Sequence, residues 1–212
     1  MSKLAGALAV LTRTPADPDY TTPWPEGAFT EASYDGDVVT VDLADASLHD
    51  RPAGMSADEA DSAVQQVVYT MQAAVQARAA VQFRLDGNPV DQVLGVPTSE
   101  PVANAPQLDA LSLVSITDPE QGAGASGTLK VSGVANSFEA NVPWQILQGD
   151  QVVKEGYVTA EGAYGNELYP WHDTIDVSKL AAGDYTFRAQ TDDPSDGEGK
   201  GPFVDTRTFT VQ

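Results

Sequence analysis

The residue types that could do chemistry in this 212-residue chain are two histidines and a set of carboxylates. His172 stands beside Asp173 in "YPWHDT", but neighbouring residues of a strand point to opposite faces, and no G-x-S-x-G motif occurs. We therefore predict that His172 lies at a turn or a strand end. His49, in "SLHDRP", is predicted to be an exposed loop residue. No catalytic residue is predicted.

The stretch "TDDPSDGEG" concentrates carboxylates, and Asp192, Asp193 and Asp196 are oxygen ligands of the kind that Ca²⁺ prefers. The spacing does not fit an EF-hand loop, because the third position counted from Asp192 is Pro194. A solvated hairpin between the last two strands explains the segment equally well. We predict no metal site and keep the three aspartates as weak candidates.

The charge balance restricts the partners. Eleven Lys and Arg against thirty-one Asp and Glu give a net charge of −20 and a pI near 4.1. Such a field repels nucleic acids and anionic membrane surfaces, so neither is expected as a partner. The chain has no cysteine, which excludes disulfides and thiolate catalysis. No Gly-rich phosphate loop precedes a helix, so no cofactor is predicted.

Three further residues are candidates for surface binding. Tyr20 and Trp24 belong to the proline-rich stretch "DPDYTTPWPEG", which either braces two folded elements or presents aromatic rings to a sugar. We favour the brace. Glu139, in "FEANV", is a carboxylate that could cap backbone amides or pair with an arginine such as Arg188.

The first half of the chain has the pattern of a small α/β domain. Leu4, Leu8 and Leu11 share one helical face, so we interpret the apolar opening as an amphipathic helix although it imitates a signal peptide. Ser56 and Glu59 form a capping-box pattern. The other elements predicted in this half are strand Val38–Leu43, helix Ala57–Arg78 and strand Val81–Leu85.

The second half has the pattern of an antiparallel β-sandwich. Its seven predicted strands are Leu111–Thr117, Thr128–Val134, Val142–Gln148, Val152–Ala160, Thr174–Val177, Tyr185–Thr191 and Phe203–Val211. Trp144 is predicted to be the core aromatic, and Tyr185 in "AAGDYTF" to form a tyrosine corner. We predict a first domain over residues 1–98, a polar linker over 99–110 and a second domain over 111–212.

These segments resemble two known families. "AGALAVLTRTPADPDYTTPWPEG", "GDVVTVDLA", "VVYTM" and "VQFRLDG" together resemble the GerMN domain of bacterial sporulation and germination proteins. "ITDPEQGA", "LKVSGVANSFEANVPWQI" and "AAGDYTFRAQTDDPSDG" resemble the Gmad-type immunoglobulin-like domain that often follows it. GerMN domains usually begin with a strand before the first helix, and we expect that strand to be missing here.

The resemblance implies a non-enzymatic, extracytoplasmic cell-envelope protein that acts as an interaction or assembly module. It implies protein or peptidoglycan partners, and a lipoprotein signal or membrane anchor in the full-length protein that this chain does not contain. A carbohydrate-, peptidoglycan- or calcium-binding accessory module of a cell-wall enzyme system is the alternative. The sequence does not identify the partner or the process served.

Overall fold

Each half of the chain has its own hydrophobic core. The computed structural model describes residues 2–163, 165–193 and 201–212, and the chain divides into two units, Met1–Ala105 and Pro106–Gln212. Buried apolar side chains form one cluster in each unit. The prediction of an α/β domain followed by a β-sandwich is confirmed. Within the described residues no helix is long and apolar enough to cross a membrane.

The first unit packs two helices with a small mixed sheet. Its elements are α1 (Lys3–Leu11), β1 (Phe29–Tyr34), β2 (Val38–Leu43), α2 (Ala57–Val75), β3 (Ala80–Leu85), β4 (Asn88–Pro89), β5 (Gln92–Val93) and β6 (Val96–Pro97). The sheet has the order β1-β2-β3-β4, and β5 pairs with β6 in a separate ladder. Strands β2 and β3 are parallel because α2 forms the crossover between them, as parallel pairing requires.

Local signals define both ends of α2. The Ser56 hydroxyl accepts a hydrogen bond from the Glu59 N–H (3.1 Å), and the Glu59 carboxylate accepts one from the Ser56 N–H (2.7 Å). The predicted capping box is therefore confirmed. The helix ends at Val75 instead of Arg78, because Gln76 adopts a left-handed conformation (φ 58°) that closes the last turn.

Strand β1 was not predicted. Its sequence "FTEASY" carries few apolar residues, and its side chains are mostly exposed because β1 lies at the edge of the sheet. A one-residue irregularity between Phe29 and Glu31 also breaks the two-residue alternation that a sequence pattern would show.

The segment predicted as a linker is ordered. Thr98 is buried, and Val102 exchanges backbone hydrogen bonds with Val81 of β3 (2.8 and 2.9 Å). Further on, the Ala105 carbonyl accepts a bond from the Tyr69 hydroxyl (2.7 Å). Residues 99–105 thus pack on the first unit, and the division falls after Ala105. None of residues 99–105 is fully buried, so this segment is held mainly by hydrogen bonds to the first unit.

The second unit is a two-sheet sandwich. Its elements are α3 (Gln107–Ala110), β7 (Val114–Asp118), β8 (Ala123–Ala125), β9 (Thr128–Ala135), β10 (Asn141–Gln148), β11 (Gln151–Thr159), β12 (Tyr169–Asp176), β13 (Gly183–Gln190) and β14 (Val204–Val211). One sheet has the order β11-β10-β13-β14-β8 and the other β12-β9-β7. All seven predicted strands are present. The short β8 was missed, and it runs parallel to β14, so the sandwich is not purely antiparallel.

Aromatic residues fill the space between the sheets. Trp144 is buried as predicted, and Trp171 is buried more completely. Both rings lie near Phe187, with centroid distances of 6.2 and 6.5 Å. Tyr185 is 4% exposed, and its hydroxyl donates to the Ala181 carbonyl (2.9 Å), which confirms the tyrosine corner.

Candidate functional site

Trp24 is part of the core. It is 2% exposed, and its ring lies 4.9 Å from that of Phe29 at a tilt of 55°. Its candidacy as a surface-binding residue is therefore wrong, because a buried ring cannot stack on a ligand. The prolines on either side direct the ring inward, and the loop acts here as a brace.

The two other surface candidates lie at exposed positions. Tyr20 keeps 41% of its surface exposed. Glu139 lies in a short 3₁₀ turn, Phe138–Ala140, and both Glu139 and Ala140 have positive φ angles (52° and 59°). The Nη2 of Arg188 donates to the Gln145 side chain on the next strand. Binding roles for Tyr20 and Glu139 stay predictions.

The weak metal candidates lie partly outside the described residues. The Asp192 N–H donates to the Ser137 hydroxyl (2.7 Å), and the Asp193 N–H donates to the Asp192 carboxylate (3.1 Å). Neither aspartate belongs to a group of three potential metal ligands among the residues that the structure describes. Asp196 lies outside those residues.

One of the two histidines differs from its predicted setting, and the other lies in a loop as predicted. His172 lies in the middle of β12, exposed and opposite Ser132, so a turn or strand-end position is wrong. The strand begins earlier than predicted because it pairs with β9 along its whole length. His49 is half-buried, with Nδ1 2.8 Å from Asp50 and Nε2 3.0 Å from Asp91. The bonds to Asp50 and then Asp91 raise the pKa of His49 above its ordinary 6.5.

A groove of about 470 Å³ opens in the first unit, between the proline-rich loop and the first half of α2. Thr21, Thr22 and Pro23 form one wall, and the turn Gly54–Met55 forms one end. The helix supplies the rest with a stripe of residues three and four apart, which is how neighbours on one helix face are spaced. That stripe consists of Asp58, Glu59, Ser62, Ala63 and Gln66.

A second exposed feature lies on the sandwich. Strand β11 is the terminal strand of the five-stranded sheet, and Tyr157 on its outer face is 70% exposed opposite Pro143 of β10. Val152 and Val153, where the pairing register shifts, are also exposed. We call Val152, Val153 and Tyr157 the β11 patch. Its backbone edge has no further strand partner among the described residues.

Sequence reasoning missed both features for different reasons. The alternation in "KEGYVTA" places Val158 inside and therefore Tyr157 outside, so the signal for the β11 patch was present in the sequence. The groove carried no such signal. It depends on where a non-repetitive loop lies against a helix more than thirty residues away, and local patterns do not report that distance.

An α/β domain followed by an immunoglobulin-like sandwich is the class that the structure defines. Residues 1–91 match a family model described as "Sporulation and spore germination", and residues 113–198 match the "Immunoglobulin-like domain of bacterial spore germination". The two matches follow one another along the chain in the order that the resemblance gave, and the GerMN and Gmad-type resemblance is confirmed.

Two other comparisons add no functional information. No curated protein matches the chain. Among solved structures, the chain is similar to the fibronectin(III)-like modules of Clostridium thermocellum CbhA, with 16% identity and a TM-score of 0.31. That match covers 46% of this chain and 93% of the other.

Proposed function

We propose that this chain is a non-enzymatic, extracytoplasmic module that binds a protein partner of the cell envelope during sporulation or germination. The family matches support the association with sporulation or germination. The observation that supports binding is the β11 patch, where an aromatic ring and two valines lie exposed on a terminal strand.

The β11 patch has the features of a protein-binding edge. A terminal strand offers unpaired N–H and C=O groups to an added strand. Tyrosine is enriched at interfaces because it offers a large ring at low entropic cost. A row of polar contacts from Glu155 through Gln145 to Arg188 runs beside the patch and holds the sheet surface in place.

A crosslinking experiment with a matched position tests the proposal. A photoreactive amino acid replaces Tyr157 in the organism that encodes the chain, and a second strain carries it at His172, which is also exposed in mid-strand. We expect a crosslinked polypeptide from position 157 only. When intact cells are treated with a protease, this adduct should be digested, because an extracytoplasmic protein is accessible from outside the cell. The crosslinked protein is then identified and purified, and Tyr157→Ala should weaken its binding at least tenfold.

Four outcomes would contradict the proposal. Equal adducts from both positions would show that the β11 patch is not selective. If the chain is retained on protein-free peptidoglycan and Tyr157→Ala abolishes this retention, the carbohydrate-binding alternative is favoured. If retention requires calcium, the calcium-binding alternative is favoured. Release of soluble fragments from peptidoglycan by the purified chain would reveal an enzyme.

A further inference from the structure

The outer edge of β3 is covered in two separate parts. Strand β4 pairs with the C-terminal end of β3, at Arg84 and Leu85. Toward the other end of β3, Val102 exchanges both backbone hydrogen bonds with Val81 (2.8 and 2.9 Å) as an isolated bridge. This bridge belongs to residues 99–105, which we call the strap.

Helix α2 holds the strap with three polar side chains of one helix face. Gln65, Tyr69 and Gln72 follow one another at the spacing of neighbours on that face. The Gln65 oxygen accepts from the Ala105 N–H (2.8 Å), and the Tyr69 hydroxyl donates to the Ala105 carbonyl (2.7 Å). The Gln72 amide donates to the Asn104 side chain (3.2 Å). The strap is therefore bound on two sides, by β3 and by α2.

Hydrogen bonds hold the strap and apolar burial contributes little. None of its residues is fully buried, and Val102 is the strap residue that packs against the core of the first unit. A hydrogen bond adds little net stability, because water replaces the partner in the open state. Segments with few buried apolar contacts open locally at lower free energy than the core around them. We therefore expect the strap to open while α2 and β3 stay folded.

Opening of the strap would leave specific groups without partners. The N–H and C=O of Val81 would be free at the sheet edge, and Gln65 and Tyr69 would lose their backbone partners. Gln72 is only 6% exposed and would keep one bond, to the Ala79 carbonyl (2.9 Å). Unpaired polar groups at partly buried positions are costly, so the open state favours a strand that offers the same groups.

We propose that the strap covers a strand-addition site on β3, and that an extended segment of a partner polypeptide binds there in its place. The strap itself shows which chemistry fits. One residue pairs with Val81 through its backbone, and the third residue after it pairs with Gln65 and Tyr69. Residues 103–105 are Ala-Asn-Ala, so small side chains are expected in the incoming segment. Main-chain bonds of this kind supply the affinity in strand addition.

This inference rests on the proposed function, because the occupant is a polypeptide partner, but it concerns a different surface. The strap is tested on the purified full chain with synthetic peptides, and the β11 patch is tested by crosslinking at position 157. A failed strap test with an intact position-157 adduct would overturn this inference alone. The reverse result would overturn only the role of the β11 patch.

Amide hydrogen exchange of the purified full chain, resolved by NMR, measures the opening. The Val102 and Ala105 N–H groups are bonded only while the strap is in place. We expect them to exchange at least tenfold faster than the amides of Val67 and Val68, which lie in the buried middle of α2. Their rates should be insensitive to low concentrations of urea, because local opening exposes little surface. Exchange as slow as that of the helix amides would overturn the inference.

A released strap and a matched pair of peptides test the site. Val102→Pro removes the N–H that bonds the Val81 carbonyl. The probe is the strap sequence, acetyl-Ser-Glu-Pro-Val-Ala-Asn-Ala-amide, and its control carries N-methylvaline, which lacks the same N–H. The probe should bind the variant at least tenfold more tightly than the unaltered chain, where the attached strap competes. If the variant binds neither peptide, or binds both equally, there is no strand-addition site.

A milder variant leaves β3 and the strap sequence unchanged. Tyr69→Phe removes the hydroxyl that donates to the Ala105 carbonyl, so exchange at Val102 should speed up at least threefold. Tyr34→Phe is the matched control, because it removes a hydroxyl that donates to the Gly36 carbonyl (2.7 Å) away from the strap. It should leave exchange at Val102 unchanged. Equal rates at Val102 in the two variants would contradict the hold of α2 on the strap.

Analytical ultracentrifugation tests whether a second copy of the chain is the occupant. We expect the unaltered chain to sediment as a monomer, because its net charge of −20 opposes self-association. A dimer that Val102→Pro abolishes would mean that two copies exchange their straps, and would overturn the assignment to a different partner.

Discussion

The two domains hold their cores in different ways. In the first, α2 contributes a continuous apolar stripe, and residues close to each other in sequence define where the helix begins and ends. In the second, each buried tryptophan lies over a glycine from another strand. Trp144 packs on Gly156, and Trp171 packs on Gly133.

This difference shows where each domain is sensitive to change. A helix that is stabilised by an N-cap and an apolar stripe loses only a small part of its stability with each substitution, because each contact is one of many small contributions. A large ring over a glycine has no room to adjust, since protein interiors are close-packed. We therefore expect the largest effects of single substitutions in the sandwich and smaller ones in the α/β domain.

Gly156→Ala should have a larger effect than the three substitutions described after it. A methyl group at this position would lie 2.5 Å from the Trp144 ring, and overpacking of this kind costs about 1–3 kcal/mol. Hydrogen exchange measured by mass spectrometry on the full chain should speed up in the sandwich strands and stay unchanged in α2. Faster exchange in both domains would show that the two cores are coupled.

Gly124→Ala is the matched control for this substitution. Gly124 is also a strand glycine of the five-stranded sheet, but its added methyl group would meet only the end of the Gln212 side chain, at 3.3 Å. Because that end can move, the denaturation midpoint should change little. A loss as large as that of Gly156→Ala would remove the tryptophan from the explanation.

Tyr185→Phe should have a smaller effect on the same core. The ring stays packed beside Phe209, with centroids 5.7 Å apart, while the bond to the Ala181 carbonyl is lost. One lost hydrogen bond costs about 0.5–1.5 kcal/mol, and more if the acceptor stays unpaired. Urea unfolding measures this cost. An unchanged midpoint would mean that water replaces the hydroxyl without penalty.

Ser56→Ala tests the first domain. The substitution removes the side-chain acceptor of the Glu59 N–H, and loss of an N-cap typically costs about 1 kcal/mol. Exchange should speed up first in the amides at the start of α2, and the sandwich should be unaffected. Ser62→Ala, on the same helix beyond the cap, is the control and should have no such effect.

Whether an element is defined by residues near each other in the chain also explains what could be predicted from the sequence. Helix α2, the tyrosine corner and the sandwich strands were predicted because each is specified by residues near each other in the chain. The edge strand β1 and the order in residues 99–105 were missed because they depend on backbone pairing with distant strands. The side-chain pattern carries little of that information.

The candidate sites were harder to predict from the sequence than the helices and strands. Trp24 was considered both as a brace and as a binding residue, and composition alone could not decide between them because an aromatic ring suits either role. Its burial depends on how the proline-rich loop folds back onto the sheet and on the position of Phe29. The groove beside it is formed by that same loop, so it could not be predicted either.

The smallest expected effect is a dependence on pH in the first domain. The contacts of His49 with Asp50 and Asp91 raise its pKa above 6.5 and lower the pKa of Asp91. The raised pKa of His49 means that its contribution to stability is fully present below pH 6.5 and is lost as the pH rises through its pKa in the folded protein. The effect is small because Asp50 and Asp91 are exposed to solvent.

The ring signals of His49 in proton NMR measure this dependence. Asp50→Asn should lower its pKa more than Asp91→Asn, because the bond to Asp50 is the larger cause of the shift. The β5–β6 hairpin is bound next to His49 through the Leu94 and Gly95 N–H groups, so their exchange should increase as the ring loses its proton. If neither variant moved the titration of His49, the contacts with Asp50 and Asp91 would not persist in solution.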